Sequence, residues 1–283
     1  MNYTQQLQAL INNALTEDIG SGDHSTLCCI PPSQQGEAIL KVKQDGILAG
    51  MHVAEQIFKT LEPDCAFTPI KKDGEAISCG DKAFTLKASV PTILQGERLA
   101  LNCMQRMSGI ATLARQYAQL LQGYKTKILD TRKTTPNFRL LEKEAVRIGG
   151  GYNHRMGLYD MIMLKDNHID YCGGIEKAIE AAINYIQKNN LALAIEVETR
   201  SIDDVRKVLA TGGVQRIMLD NYTPTQVGEA VELIGGKYET EASGGINLTT
   251  IVSYAQTGVT YISCGALIHQ AMSIDLSLKA VLQ

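Results

Sequence analysis

No stretch of this sequence approaches the roughly 18 consecutive apolar residues that a membrane-spanning helix needs. The N-terminal residues lack both a basic flank and an apolar core, so no secretory signal is expected. There is no CxxC pair. The seven cysteines are scattered, with only Cys28 and Cys29 adjacent, which predicts reduced thiols in a cytoplasmic protein. The five histidines show no HExxH spacing, so no protein-only metal site is expected. Basic residues are not in excess either. A formal net charge of −3 argues against a general nucleic-acid binder.

What is present is a globular composition, 45% hydrophobic and 20% charged, in a chain of 283 residues that can bury a sizeable core as one large domain or two smaller ones. Against that background residues 128–168 stand out. They carry Arg132, Lys133, Arg139, Lys143, Arg147, Arg155 and Lys165, with His154 and His168. Two apolar runs bracket them: Ile128-Leu129 leads into Asp130, and Met161-Ile162-Met163-Leu164 leads into Lys165. Both read as buried strands that stop at an ionisable group. An unpaired charge is costly to bury, so cations at strand ends point to an anionic ligand.

The rest of the chain falls into two patterns. Residues 3–15 repeat apolar positions at helical spacing, and 17–23 break the helix, leaving His24 in a loop. From Gly36 to Val90, alternation such as Ala38, Leu40, Val42 and frequent glycines predict a small α+β domain with one helix near 52–61. Residues 96–122 read as helix, broken near Ser108-Gly109, with Arg98 on its surface. After Gly123, strands are expected at 126–129, 161–164, 194–197, 216–219, 238–242 and 260–263. Helices are expected at 174–188, 201–210, 224–234 and 247–257. This alternation means parallel strands with crossover helices. Six units are too few for an eightfold barrel, and no GxGxxG follows the first strand, so an incomplete α/β barrel is preferred to a dinucleotide-binding sheet. The expected division is an N-terminal α+β domain over 1–110, a barrel over 111–269, and a tail (270–283) returning to the first sheet.

In barrels the C-terminal strand ends carry the site. Here they read, in order, Asp130-Thr131-Arg132-Lys133, Lys165-Asp166-Asn167-His168, Glu198, Asp220-Asn221, Ser243-Gly244-Gly245 and Gly265. Cations come first, carboxylates in the middle and glycines last. Carboxylates or a diphosphate need Arg and Lys. Ribose hydroxyls need acceptors such as Glu198 and Asp220, with Glu196 an alternative to Glu198. A 5-phosphate needs backbone N–H groups that only glycines let approach. The pattern describes phosphoribosyl transfer to an anionic acceptor.

The same residues carry a family resemblance. The Glu17-Asp18 to Thr26 loop, Gly96-Glu97-Arg98-Leu99-Ala100-Leu101-Asn102, Thr131-Arg132-Lys133-Thr134-Thr135-Pro136, Asn153-His154-Arg155, Lys165-Asp166-Asn167-His168, Glu196-Val197-Glu198, Leu219-Asp220-Asn221 and Glu241-Ala242-Ser243-Gly244-Gly245 make the chain resemble the quinolinate phosphoribosyltransferases over nearly its whole length. The resemblance implies an N-terminal α+β sandwich domain with an open, incomplete α/β (TIM-like) barrel, and conversion of quinolinate and phosphoribosyl pyrophosphate to nicotinate mononucleotide, pyrophosphate and carbon dioxide. It implies Mg²⁺, bound mainly through phosphoribosyl pyrophosphate, and a head-to-tail homodimer with shared active sites. Arg98 would come across the dimer interface. Thr131, Arg132, Lys133, His154, Arg155 and Lys165 would line the anionic pocket, Glu198 and Asp220 would face the ribose, and Ser243, Gly244, Gly245 and Gly265 would hold the phosphate. Lys165, Glu198 and Asp220 are the expected catalytic residues. The alternatives are a paralogous phosphoribosyltransferase with another acceptor, such as the molybdenum-transport-associated relative, and a non-catalytic barrel that binds phosphorylated ligands.

Overall fold

The structure, a computed structural model, describes residues 2–281. Its elements in chain order are α1 (Tyr3–Ile19), α2 (His24–Cys29), β1 (Gln35–Val42), β2 (Gly46–Ile47), α3 (Met51–Leu61), β3 (Ala66–Pro69), β4 (Ala76–Ile77), β5 (Lys82–Ser89) and α4 (Val90–Leu120). There follow β6 (Lys127–Leu129), α5 (Arg139–Ile148), β7 (Ile162–Leu164), α6 (Asp166–Cys172), α7 (Ile175–Asn189), β8 (Ile195–Thr199), α8 (Ile202–Thr211), β9 (Arg216–Asp220) and α9 (Pro224–Ile234). The last are β10 (Glu239–Ser243), α10 (Ile251–Ala255), β11 (Tyr261–Ser263), α11 (Ala266–His269) and β12 (Leu276–Ala280). No helix among the described residues is long and apolar enough to cross a membrane.

The chain forms two compact units. The first takes residues 1–115, 134–150 and 267–283, and the second takes 116–133 and 151–266. The line therefore falls inside α4, and the segment 134–150, placed with the barrel in the sequence-based division, goes with the N-terminal unit. Its helix α5 buries Leu141, Ala145 and Val146 there. Arg106 ties α5 to α4 through Glu142, at 2.9 Å.

The first unit is built on an antiparallel sheet in the order β12-β1-β5-β3. Ala38, Leu40 and Val42 turn to one face of β1, as their alternation requires, and are buried. The tail strand β12 lies beside β1, with Leu278 opposite Leu40. Phe58 from α3 and Phe84 from β5 meet edge to face in its core, 6.4 Å apart. Two expectations change in this unit. His24 does not sit in a loop: Asp23 caps a short helix that His24 begins, because the Asp23 carboxylate accepts the Thr26 N–H. Nor is α4 broken at Ser108-Gly109. A Cβ at position 109 would stand 2.0 Å from the Met272 carbonyl oxygen, so this glycine marks a close approach of the chain rather than a helix end.

The second unit is an open α/β barrel. Its six strands are parallel in the order β6-β11-β10-β9-β8-β7, so sequence neighbours pair all the way round except between β6 and β7. At that seam Tyr152 bridges to Leu129, exchanging bonds of 2.9 and 3.0 Å with Ile128 and Asp130. Crossover helices cover the outside with Ile175 and Ile179 of α7, Val205 and Val208 of α8, and Val227 and Ile234 of α9. Ser201 and Thr223 cap the starts of α8 and α9. The last crossover helix is shorter than 247–257. Asn247 accepts the Thr249 N–H on its side chain and donates its own N–H to Thr250, a local turn that competes with the helix and delays it to Ile251.

Candidate active site

The strand ends of the barrel unit carry the charges that the sequence placed there. At the end of β6, Asp130 is fully buried and anchors the seam: its carboxylate accepts the backbone N–H of His154 at 2.8 Å and the side-chain amide of Asn153. That anchor sets the direction of Arg155, whose guanidinium donates to the Met161 carbonyl at 3.1 Å. Arg132 and Lys133 leave the end of β6 through a turn in which Thr131 accepts the Lys133 N–H. Burial and the nearby Arg132 push the Arg155 guanidinium below its ordinary value, with Glu196 and Asp160 opposing. Two cations crowded together in this way make a site prepared for anions.

Lys165 follows β7 as the N-cap of α6, with its own N–H on His168 Nδ1 at 3.1 Å. Its ammonium, half exposed, lies 3.9 Å from Glu198. Glu198 does not follow β8, as expected, but lies within it, because the strand continues to Thr199. The period of two therefore turns Glu196 and Glu198 to the same face. Burial and then Asp220 raise the Glu198 carboxyl, and Lys165 lowers it. Asp220, the last residue of β9, accepts the hydroxyl of Ser243 at 2.5 Å and the amide of Asn221 at 2.7 Å. Beyond Ser243 the chain turns through Gly244 at φ 95°, where a Cβ would collide with Asn221 Oδ1 at 2.1 Å. Cys264 donates to the Ile246 carbonyl and so draws Gly265 toward this glycine turn.

Lys165 thus meets Glu198 and Ser243 meets Asp220, and Asp220 stands near enough to Glu198 for its charge to raise that carboxyl. Arg132 and Arg155 form a second cationic group. Arg98 lies on α4 in the N-terminal unit and is exposed. The basic stretch 128–168 is not one cluster: Arg139, Lys143 and Arg147 belong to α5 in the N-terminal unit, and Lys143 is buried there.

The sequence reading missed what lies beneath. His154 Nε2 faces Glu196 of β8 at 3.0 Å and Glu241 of β10 at 3.3 Å, and Glu241 in turn meets Arg216 of β9 at 2.9 Å. Barrel interiors are usually filled by branched apolar side chains, so a buried layer of ions is a costly departure. The only signal for it was Glu and Arg at inward positions of strands that are otherwise apolar. The apolar groove beside β7, lined by Ile162, Leu164, Tyr171 and Tyr185, carries none of these charges.

Two family models match the chain. The quinolinate phosphoribosyl transferase N-terminal domain matches residues 23–108, and the C-terminal domain matches residues 110–279. The chain belongs to the quinolinate phosphoribosyltransferase family. It is 44% identical to the mitochondrial decarboxylating quinolinate phosphoribosyltransferase 2b of Nicotiana tabacum, covering 98% of this chain and 82% of that protein. It is 43% identical to a probable carboxylating nicotinate-nucleotide pyrophosphorylase of Bacillus subtilis, covering 100% of this chain and 96% of the relative. Its fold follows the family too. The crystal structure of NadC from Streptococcus pyogenes superposes with a TM-score of 0.90 at 40% identity, covering 97% and 96% of the two chains.

Proposed function

We infer that this chain is a phosphoribosyltransferase of NAD biosynthesis. It transfers the phosphoribosyl group of phosphoribosyl pyrophosphate to quinolinate with decarboxylation, giving nicotinate mononucleotide, pyrophosphate and carbon dioxide. Besides the family, one observation carries the reading. Cations, carboxylates and glycines stand in that order at the C-terminal ends of successive strands of a single barrel.

The roles follow from chemistry. Arg132, Lys133, Arg155 and Lys165 bind the two acceptor carboxylates and the diphosphate, with Thr131 shaping their turn and His154 beneath Arg155. Charge-assisted bonds of this kind are the strong ones. Glu198 and Asp220 accept the ribose hydroxyls. Departure of pyrophosphate gives the ribose C1 oxocarbenium character, and the negative charge of these two groups opposes it. Ser243, Gly244, Gly245 and Gly265 hold the 5-phosphate through backbone N–H groups. Once the pyridine nitrogen has bonded to C1 its ring is cationic, and the adjacent positive nitrogen stabilises the electron pair left on C2 when the 2-carboxylate leaves as carbon dioxide; a proton from solvent then forms the C2–H bond of the product, whose ring remains cationic. No covalent bond to the protein is required. Lys165, Glu198 and Asp220 are therefore the proposed catalytic residues.

Mg²⁺ belongs to the donor in this reading, carried on the diphosphate, where it neutralises the leaving group. Among the described residues the one His and Glu cluster of metal-ligand type is His154, Glu196 and Glu241. It is buried and already holds Arg216, so it is not assigned to the metal. A head-to-tail homodimer in the cytoplasm, in which Arg98 of one copy completes the site of the other, is part of the proposal. Mixing Arg98→Ala and Lys165→Ala chains should restore some activity, because one of the mixed dimer's two sites receives neither lesion. The main test is incubation with quinolinate, phosphoribosyl pyrophosphate and Mg²⁺. Nicotinate mononucleotide is the expected product, and its absence would point to another acceptor or to a non-catalytic barrel.

A further inference from the structure

Both ring nitrogens of His154 have protein partners. Nε2 faces the Glu196 and Glu241 carboxylates at 3.0 and 3.3 Å, and Nδ1 receives the backbone N–H of Arg155 at 2.7 Å. The side chain is 4% exposed and the two carboxylates are not exposed at all. A backbone N–H only donates, so Nδ1 must offer a lone pair, and the proton of the ring must sit on Nε2.

We propose that Glu196 and Glu241 are positioning residues of the acceptor pocket: they fix His154 as its Nε2–H tautomer, so that Nδ1 holds the Arg155 backbone and aims its guanidinium at the acceptor. This rests on the reading that Arg155 binds an acceptor carboxylate. His154 then acts through Arg155, which is held at three points. These are the ring below it, the Asp130 carboxylate on the preceding N–H, and the Met161 carbonyl on the guanidinium.

The charges of the layer agree. Arg216 and Glu241 offset one another, and Ser263 of β11 also supports Glu241. The carboxyl of Glu241 is lowered, against its burial, by His154, Ser263 and Arg216. Glu196 also feels Arg216, which lowers its carboxyl without outweighing burial. Burial and then the charge of Glu241 push its carboxyl up to about 7. Burial disfavours an imidazolium at His154, yet the two carboxylates outweigh it and by themselves push the ring up to about 9. The Arg155 N–H opposes that second proton: on Nδ1 it would set donor against donor at 2.7 Å. The spare proton of the network therefore rests on Glu196, and the pair titrates as a unit.

The experiment combines a spectroscopic and a kinetic reading. Nitrogen-15 spectra of histidine-labelled protein at pH 7.5, with His154 assigned by its loss in a substituted chain, should show a neutral Nε2–H ring. A doubly protonated ring would overturn the proposal. In kinetics, Asn places its amide oxygen near Nδ1, whereas Gln reaches toward Nε2. His154→Asn should therefore raise the quinolinate KM severalfold less than His154→Gln does, with kcat and the phosphoribosyl pyrophosphate KM affected little in both. Glu196→Leu, which removes the acceptor, should raise the quinolinate KM severalfold, and Glu196→Gln, which mimics the protonated acid, should recover most of that loss. Equal damage from Asn and Gln at 154, or from Leu and Gln at 196 in chains with unchanged melting temperature, would also overturn it. If the unsubstituted chain does not turn over quinolinate, the proposed function fails instead, and the tautomer remains readable by spectroscopy.

Discussion

Two histidines in this chain each face two carboxylates, and they end in opposite states. In the N-terminal unit, His52 has Asp73 at 3.4 Å from Nδ1 and Glu144 at 3.4 Å from Nε2. The Tyr3 hydroxyl donates to Glu144 and lies 2.7 Å from Nε2, so it can only accept from the ring. Both nitrogens of His52 thus meet acceptors, and the hydrogen bonds with Asp73 and Glu144 push it up to about 9. It is an imidazolium near neutral pH. In the barrel unit, His154 meets acceptors at Nε2 but a donor at Nδ1. One backbone N–H makes the difference. Two carboxylates beside a histidine do not by themselves decide its charge; every group that faces the ring does.

Burial separates the two networks as well, and the largest expected effect tests that. Removing one partner of a buried ion network leaves the others uncompensated, at a cost of about 3–5 kcal/mol. Glu241→Leu should therefore lower the unfolding free energy in denaturant melts by about that amount. Asp73→Asn, in the half-exposed network, should cost roughly 1 kcal/mol or less. Equal losses would erase the contrast.

The next effect sharpens the division between the buried layer and the rim above it. Asp220→Asn removes a charge proposed to act on the ribosyl transition state. It should lower kcat on the order of a hundredfold or more while leaving quinolinate affinity by calorimetry within a few-fold. A collapse of stability with kcat preserved would make Asp220 part of the structural layer instead. Arg155→Ala, at the point where His154 is proposed to act, removes a charge-assisted bond of roughly 1.5–3 kcal/mol. Quinolinate should bind at least about tenfold more weakly, with folding intact. Unchanged binding would leave the His154 network without a function in the acceptor site.

The smallest effect is one of pH. The His52 ring is raised in the folded chain, to about 9, from the ordinary 6.5. Its contribution to stability is fully present below about pH 6.5 and is lost as pH rises through 9. The His52 side chain is 38% exposed, so solvent screens the network and the loss should be about 1 kcal/mol. Thermal melts between pH 6.5 and 9.5 should show a decline of about 2–3 °C. That decline should be absent from His52→Gln.

Much of the barrel was legible in the sequence because its strands are buried on both faces, so short apolar runs gave their positions to within a few residues. The residue that ends each run then listed the strand-end groups in order. The helix α5 was less legible: its apolar face shows that it packs, but an amphipathic helix does not say which sheet it covers. The Ser108-Gly109 pair misled for a related reason. A glycine reports that a side chain is not tolerated, and only the fold shows that a passing carbonyl, not a helix end, is the cause. The candidate site divides in the same way. The sequence by itself determined the family, the alternation of strand and helix, and the chemistry at each strand end, because these depend on local pattern and residue type. Only the tertiary structure decided that Glu196, Arg216, Glu241 and His154 meet. They come from three strands and the β6–β7 seam, and no local pattern links them. Their charge states follow from the burial and neighbours that packing inside the barrel imposes.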